Sequence, residues 1–367
     1  MGLSRTERPT PGQVPSLTSL RGVLALWVVG YHFWNDVVRL FPSARVLSPL
    51  MGVGHMAVPA FFMLSGYVLA YNYGERFRQL SWRGVGRFLV LRLGRIYPVH
   101  FVALLAVAAM VVVSDRVGFR LADAGYSTRD FLLNLALVHT WVPHFQLNWN
   151  YPSWSISSEW FAYLLFPYAM AWPLRKLTLP RAIVLGSIAL GASVGVVLAW
   201  KPWPFYELVL VVPTFFTGVA IHGIVGSSSP GMASRGLRFL PESLMIVLIL
   251  ACFLPGDEAV TAILLVGFAI LIFALARLKD TCHSIWSIWP AVYLGEVSYS
   301  LYMTHTLAQK VVYKLLPAAR FEDSGTATQI GVLVAYGLLV AFGCLASYYL
   351  VELPSRRLMK RWVTPTR

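Results

Sequence analysis

The residues of this chain that could do chemistry are a few ionisable side chains inside long apolar segments. The first such segment holds Arg21 and His32, with ten residues between them. On a helix that rises about 1.5 Å per residue, the histidine lies about 16 Å further along than the arginine. A neutral imidazole accepts a proton from a hydroxyl group near neutral pH, so His32 is a candidate general base.

Other ionisable groups lie at a similar depth in neighbouring apolar segments. Asp36 follows His32 by one helical turn, Glu159 lies about 8 Å inside the fourth segment, and His305 lies in the ninth. Ionisable groups inside a membrane are costly to bury and are functional by default. We predict that Glu159 or Asp36 orients His32. The alternative is a set of unrelated polar groups that hydrogen-bond across helices.

The composition predicts the elements that must position these groups. The chain has 367 residues, 57% of them hydrophobic and 13% charged, whereas soluble proteins contain about 25% charged residues. Soluble, disordered and nucleic-acid-binding classes are therefore excluded, and the fold class is an all-α, polytopic membrane protein. A span needs about 17–25 mostly apolar residues. The ten candidates are 19–38, 56–73, 96–113, 154–172, 182–200, 205–224, 240–255, 259–277, 291–312 and 328–351.

The net charge of +14, from 30 basic and 16 acidic residues, predicts the orientation. With both termini in the cytoplasm, most basic residues fall on the cytoplasmic side, as the positive-inside rule requires. Residues 1–16 are then a cytoplasmic tail, 17–358 the membrane domain and 359–367 a second cytoplasmic tail. A shorter apolar patch at 131–142 predicts an interfacial or re-entrant helix.

The loop predicted between the second and third spans is rich in arginine. It contains Arg83, Arg87, Arg92 and Arg95. Because arginine binds phosphate groups bidentately, this loop is a candidate site for the phosphates of coenzyme A. The alternative is a purely topological role, in which each arginine gains about 1 kcal/mol from anionic lipid headgroups.

Two further segments carry polar residues at helical spacing. Tyr299, Tyr302 and His305 are three residues apart and predict a polar stripe on the ninth span. Ser155 precedes Glu159 by one turn in the segment WSISSEW. The three cysteines have no metal-like spacing and are expected to be buried, so no metal site is predicted.

Six segments, taken in order, resemble the signature segments of the acyltransferase-3 family. They are LTSLRGVLALWVVGYHFW, VPAFFMLSGYVLAY, RLGRIYPVHF, PSWSISSEWFAYLLFP, YLGEVSYSLYMTHT and YYLVELPSRRL. The resemblance covers residues 17–358. It implies a ten-helix O-acyltransferase of the bacterial inner membrane, from a family that modifies lipopolysaccharide, exopolysaccharide, peptidoglycan, Nod factors or macrolides.

The resemblance also implies roles for matching residues. Arg21 and His32 fit the family's motif of an arginine and a histidine separated by ten residues, with the histidine as catalytic base. Arg92 and Arg95 fit its Arg-x-x-Arg-Ile-Tyr-Pro motif, which is taken to handle acyl-CoA.

Three more positions match, and two depart from the pattern. Glu159 fits the acid of a Ser-x-x-x-Glu segment with Ser155 as its serine, and Glu352 fits the acid before the last basic stretch. Thr18-Ser19 replaces the usual Asp or Asn at the start of the first motif. Thr304-His305 replaces the common Trp-His, which weakens the case for a role of His305.

Together these features predict transfer of an acyl group, with acetyl expected, from acyl-CoA to a hydroxyl of a saccharide or glycolipid. Tyr299 or Tyr302 is a candidate donor to the developing oxyanion. Three alternatives remain: His32 as a transient acyl carrier, a transporter or flippase of a lipid-linked saccharide, and a structural scaffold.

Overall fold

The computed structural model describes residues 14–116, 125–145, 147–199, 205–227, 239–278 and 284–363. Within these ranges the chain is mostly helical and contains no β-strand, which confirms the all-α fold class. In chain order the helices are α1 (Pro15–Leu40), α2 (Ser48–Gly52), α3 (Ala57–Tyr73), α4 (Trp82–Arg116), α5 (Thr128–Leu135), α6 (Ser153–Ala171), α7 (Leu179–Leu198), α8 (Tyr206–Ser227), α9 (Leu240–Ala251), α10 (Asp257–Ala276), α11 (Trp289–Leu315), α12 (Thr326–Ser347) and α13 (Leu353–Val363).

Each predicted span coincides with one helix of the set α1, α3, α4 and α6–α12. Among the described residues, six helical stretches are long and apolar enough to cross a membrane, which confirms a multi-pass membrane protein. They are Pro42–Tyr73, Trp82–Arg116, Leu179–Leu198, Tyr206–Ser227, Asp257–Ala276 and Thr326–Trp362. Helix α9 has only 12 residues. Helices α1, α6 and α11 are long enough but carry more polar side chains, including the candidate site residues.

Helices α1 and α11, which carry His32 and His305, pack directly against each other. A Cβ atom on Gly295 of α11 would overlap the carbonyl group of Thr18 in α1, and Gly22 of α1 faces the backbone of Gly295 in return. Small residues let the backbones of membrane helices approach closely. This crossing therefore brings the polar side chains of the two helices within contact distance.

The basic stretch before the third span is helical, which corrects the prediction of a loop. Helix α4 begins at Trp82, well before residue 96, and has 35 residues. A helix of that length extends about 52 Å, whereas the hydrocarbon core of a bilayer is about 30 Å thick. Leucine and arginine, which recur here, are strong helix formers. Arg92 and Arg95 therefore lie on the same helix as the apolar part of α4, just before Pro98.

The last predicted span ends in a π-helical turn, Tyr348–Glu352, after which the chain continues as α13. Helix α13 packs on α4, where Met359 occupies the space beside Gly94. Single π-turns inside helices are frequent at functional sites. Here the turn buries the Glu352 side chain, which is only 1% exposed.

Large aromatic side chains are exposed at several helix ends. Trp82, Trp172, Trp289 and Trp362 are each at least 66% exposed. All four lie at ends that the sequence places on the cytoplasmic side. Tryptophan is enriched at the membrane–water interface because its ring is apolar and its N–H is polar. These positions are consistent with an interface at that level.

The patch at 131–142 forms α5 followed by a short 3-10 turn, His139–Trp141. Buried hydrogen bonds tie it to α4 and α6. The His100 ring nitrogen Nε2 lies 2.8 Å from the Asn134 carbonyl oxygen, and the Ser153 hydroxyl donates to Asn134 Oδ1 at 2.9 Å. These bonds hold the segment that enters α6, which includes Tyr151.

Candidate functional site

The first of two neighbouring cavities is lined by arginines and is named here the arginine cavity. Its volume is about 100 Å³. Side chains of α1, α3, α4, α6 and α11 line it, and its polar members are Arg21, Ser65, Arg92, Arg95, Ser155, Glu159, Tyr163, Ser298, Tyr299 and Tyr302. The structure therefore brings together seven residues that the sequence singles out from four separate segments.

Charge in this region is predominantly positive. Arg21 lies within electrostatic range of Arg95, Arg356, Glu159 and Glu352. With Arg92 included, four arginines oppose two glutamates, which leaves an excess of positive charge in a partly buried site. Such an excess favours an anionic ligand, because unpaired charge inside a membrane protein is costly.

The Glu352 carboxylate compensates part of this charge. It accepts a hydrogen bond from the Ser300 hydroxyl at 2.7 Å and pairs with Arg356 at 3.4 Å. These two partners of Glu352 lie on α11 and α13. Arg356 is a residue that the sequence analysis did not identify, although its i,i+4 spacing from a glutamate is a recognisable signal.

Arg92 and Arg95 differ in how they are held. Arg92 donates to the Tyr73 hydroxyl at 3.1 Å, and its guanidinium lies over the Tyr73 ring, 5.2 Å from the centroid. Its buried Nε finds no partner within the described chain. Arg95 forms no hydrogen bond or ion pair with another described residue, although it lines the cavity. Both arginines thus keep donors available for a ligand.

The other two predicted acyl-CoA residues lie outside this cavity. Arg83 and Arg87 are exposed on the first turns of α4. They occupy the same helix as Arg92 and Arg95 but about two turns closer to its start. The predicted group of four arginines is therefore divided into a cavity pair and a surface pair.

The second cavity contains His32 and is named here the histidine cavity. Its volume is about 460 Å³. It is lined by Tyr31, His32, Trp34, Asn35, Gly52, Tyr151, Thr306, Gln309, Lys310 and Tyr313. Aromatic rings and neutral amides predominate, and Lys310 is the one lysine or arginine among these lining residues. Helices α1 and α11 line both cavities, one beyond the other along their length.

Hydrogen bonds define the protonation of the His32 ring. Its Nδ1 lies 2.8 Å from the Val28 carbonyl oxygen, which only accepts, so Nδ1 carries the proton. By the same argument His305 Nδ1 donates to the Tyr302 carbonyl at 2.6 Å. His305 Nε2 is then an acceptor, 3.3 Å from His32 Nδ1. His32 Nε2 is buried and has no partner within the described chain, so in the neutral ring its lone pair is unpaired.

Neither predicted carboxylate contacts the His32 ring, which corrects the expectation that Glu159 or Asp36 orients it. Glu159 lies in the arginine cavity and accepts from Tyr163 at 2.6 Å. The polar contacts of His32 come instead from a backbone carbonyl and His305. A depth estimate along a helix does not include rotation around the helix, which decides the neighbours.

Asp36 is connected to His32 only through intermediates. Its carboxylate hydrogen-bonds to Tyr313. The Gln309 amide donates to the Tyr313 hydroxyl at 2.9 Å and to the His32 carbonyl oxygen at 2.5 Å. Asp36 therefore supports the backbone that carries His32 and does not set the orientation of its ring.

Polar side chains of α6 and α11 line the end of the arginine cavity that is next to the histidine pair. Tyr302 donates to the Ser155 hydroxyl at 2.9 Å, and Ser155 donates to the Pro152 carbonyl at 2.9 Å. Tyr299 donates to the Ile96 carbonyl. Because both tyrosine protons already have acceptors, neither tyrosine is assigned here as the oxyanion donor. The ring centroids of Tyr302 and His305 are 5.9 Å apart, which places Tyr302 next to the histidine pair.

The described residues contain no group of three or more potential metal ligands. Cys252 and Cys344 are buried free thiols, and Cys282 lies outside the described residues. Sequence reasoning also missed Gln309, Lys310 and Tyr151. The first two are polar residues inside a predicted span, a signal that was available. Tyr151 lies in a loop, 5.5 Å from the His32 ring, and no sequence pattern indicates that contact.

Comparison with known proteins is consistent with this arrangement. A family model described as an acyltransferase domain, that of the acyltransferase-3 family, matches residues 14–351. No solved structure matches the sequence significantly.

Curated relatives cover the chain to different extents. Acyltransferase MdmB of Streptomyces mycarofaciens is 34% identical over 168 residues, 43% of this chain and 40% of that protein. The putative acetyltransferase ORF330 of Acidianus two-tailed virus is 22% identical over 306 residues, 81% of this chain and 84% of that protein. Protein 2 in the picA locus of Rhizobium radiobacter is 34% identical over 96 residues, 26% of this chain and 44% of that protein. The chain thus spans less than half the length of the first and third relatives.

Proposed function

Because this chain belongs to the acyltransferase-3 family, whose model matches residues 14–351, we propose that it is an acyl-CoA-dependent O-acyltransferase. The acyl group, with acetyl expected, is transferred to a hydroxyl of a cell-envelope or exported saccharide or glycolipid. The proposed location is the inner membrane of a bacterium, with the arginine cavity facing the cytoplasm. Two relatives whose names contain acyltransferase or acetyltransferase support the reaction type.

One observation carries the proposal: the His32 ring is held through Nδ1 and leaves Nε2 unpartnered. This is the state that a general base requires, since a neutral imidazole with a free lone pair accepts a proton from a hydroxyl group. The Val28 carbonyl and His305 fix the ring, so no carboxylate is needed to select the tautomer.

The negative charge of acyl-CoA is the basis for the binding position that we propose for the donor. The phosphates of acyl-CoA would lie near Arg92, Arg95 and Arg21, whose free donors suit phosphate oxygens. The arginine cavity is too narrow for the nucleotide. The acyl–pantetheine chain would therefore lie inside it, with the phosphates at its arginines and the nucleotide outside. The exposed pair Arg83 and Arg87 would meet the more distal phosphates.

The transfer step then follows from the placement of His32. Its Nε2 takes the proton of the acceptor hydroxyl, and the hydroxyl oxygen attacks the thioester carbonyl carbon. The carbon–sulfur bond breaks, and the acceptor becomes the acyl ester. The coenzyme A thiolate takes up the proton from His32. The roomier histidine cavity, with its aromatic rings and amides, suits a saccharide acceptor.

The test uses the full chain in lipid nanodiscs, with radiolabelled acetyl-CoA and p-nitrophenyl β-glucoside as acceptor. We expect His32→Ala to lower kcat by about 10²- to 10⁴-fold, with binding of acetyl-CoA retained. The matched control is His144→Asn, an exposed loop histidine with φ of 58°, a conformation that asparagine tolerates. Full acyl transfer by His32→Ala would contradict the proposal.

The same preparation separates direct transfer from an acyl-histidine intermediate. Incubation with acetyl-CoA and no acceptor, followed by intact-mass measurement, would show an acetyl adduct that is absent from His32→Ala if His32 carries the group. An unmodified protein that turns over once acceptor is added supports direct attack by the hydroxyl.

A further inference from the structure

The histidine cavity contains a cation that the transfer step does not use. Lys310 lines this cavity on α11, about 8 Å further along the helix than His305. Apart from Arg277 at the end of one span, Lys310 and Arg21 are the only lysine or arginine residues inside the ten predicted spans. A lysine near the end of a span reaches the interface with its flexible side chain, so the case for a function rests on its place in the cavity lining.

The partner of Lys310 is neutral. Its Nζ donates to the Tyr126 hydroxyl at 2.9 Å and lies 5.5 Å from the centroid of that ring. None of the ion pairs among the described residues includes Lys310. Asp36, the carboxylate on α1, is bonded to Tyr313 instead. An ammonium group has three donors, so further donors of Lys310 are available to a ligand.

The surroundings of Lys310 indicate what such a ligand would be. Tyr31, Trp34 and Tyr151 present aromatic faces, and Asn35 and Gln309 present amides. This lining suits the apolar face and the hydroxyls of a sugar ring, while the ammonium suits an anion. We propose that Lys310 binds a carboxylate or phosphate carried by the acceptor. The proposal rests on the proposed function in placing the acceptor in the histidine cavity.

The probes are two glycosides that differ in one substituent. p-Nitrophenyl β-glucuronide carries a carboxylate where p-nitrophenyl β-glucoside carries a hydroxymethyl group. Equilibrium binding is measured on the full chain in phosphatidylcholine nanodiscs without acetyl-CoA. Because a charge-assisted hydrogen bond is about twice as strong as a neutral one, we expect about tenfold tighter binding of the glucuronide. Equal affinities, or no binding of either glycoside, would overturn the proposal.

Variants separate recognition from a structural role. Lys310→Gln should remove the preference for the glucuronide, and Lys310→Arg should retain most of it. Lys314→Gln removes a lysine from the last turn of α11, outside the cavity lining, and should leave the preference unchanged. Tyr126→Phe removes the hydroxyl partner but keeps the ammonium. If Tyr126→Phe abolishes the preference as fully as Lys310→Gln does, Lys310 serves only to anchor Tyr126.

A second arm identifies the source of the anion. Repeating the binding measurement with phosphatidylglycerol in the nanodiscs should leave the glucuronide preference intact. If this lipid abolishes the preference, the site holds a lipid headgroup and the proposal fails. If the wild-type chain acylates neither glycoside, the proposed function fails with these acceptors, while the binding ratio still tests Lys310.

Discussion

The arginine cavity and the histidine cavity share the helices α1 and α11 in their lining and differ in chemistry. On α1, Arg21 lines the arginine cavity and His32 lines the histidine cavity. On α11, Tyr299 lines the arginine cavity and Gln309 lines the histidine cavity. The arginine cavity is narrow and surrounded by four arginines and two glutamates, whereas the histidine cavity is roomier and mostly neutral.

Under the proposed function, this difference corresponds to separate sites for the donor and the acceptor. A charged donor that is bound through phosphates needs fixed cations, and a hydroxyl acceptor needs aromatic faces, amides and one base. The two ligands would meet near Tyr302 and His305, between the cavities. Variants on either side should therefore change the kinetics of one substrate and spare those of the other.

The largest expected effect concerns the buried charge of the arginine cavity. Glu352→Gln removes the countercharge of Arg356 beside Arg21, and breaking a buried ion pair costs about 3–5 kcal/mol. We expect the free energy of unfolding, measured in detergent, to fall by about that amount. Glu75→Gln is the control, because the Glu75 side chain is 79% exposed and its pair with Arg78 contributes about 1 kcal/mol at most. Equal losses in both variants would refute a special role of the buried pair.

The next effect is on donor binding. Arg95→Gln should raise KM for acetyl-CoA by about tenfold to a hundredfold, since a hydrogen bond to a charged group is worth about 1.5–3 kcal/mol. KM for the acceptor should not change, because Arg95 does not line the histidine cavity. Arg83→Gln, on the exposed start of α4, should have a much smaller effect. An acceptor KM that rises in parallel would contradict separate donor and acceptor cavities.

The smallest expected effect concerns Tyr302, next to the histidine pair. Tyr302→Phe deletes the hydrogen bond to Ser155 and should reduce the free energy of unfolding by about 1 kcal/mol. Because Tyr302 lies at the end of the arginine cavity that is next to His305, we expect kcat to fall modestly. Both KM values should stay within about twofold, the effect of a few tenths of a kcal/mol. Tyr168→Phe, on the exposed face of α6, is the control for the free energy of unfolding. A change in KM for one substrate alone would show that Tyr302 binds that substrate and would contradict this prediction.

Much of the fold is predictable from local composition. Hydropathy over about 20 residues locates a membrane helix, and each predicted span coincides with a helix. The start of α4 is missed because arginine lowers hydropathy while it favours helix formation. The helical turns of α13 are missed for the same reason, since its basic residues suggest a tail.

The sequence predicts which residues belong to the site better than it predicts the contacts between them. Arg21, Arg92 and Glu159 are identified from residue type and motif and do line one cavity. The contact between His305 and His32 joins residues 273 positions apart and follows from the crossing at Gly22 and Gly295. No local pattern specifies that crossing.

The sequence by itself determined that this is a helical membrane protein, which helices carry ionisable groups, and the family to which the motifs belong. These properties depend on hydropathy and spacing within one segment. Only the tertiary structure decided that His305, and not Glu159 or Asp36, holds His32, and that the polar residues divide into two cavities. The reason is that helix rotation and packing, which set these contacts, arise from interactions between segments far apart in the chain.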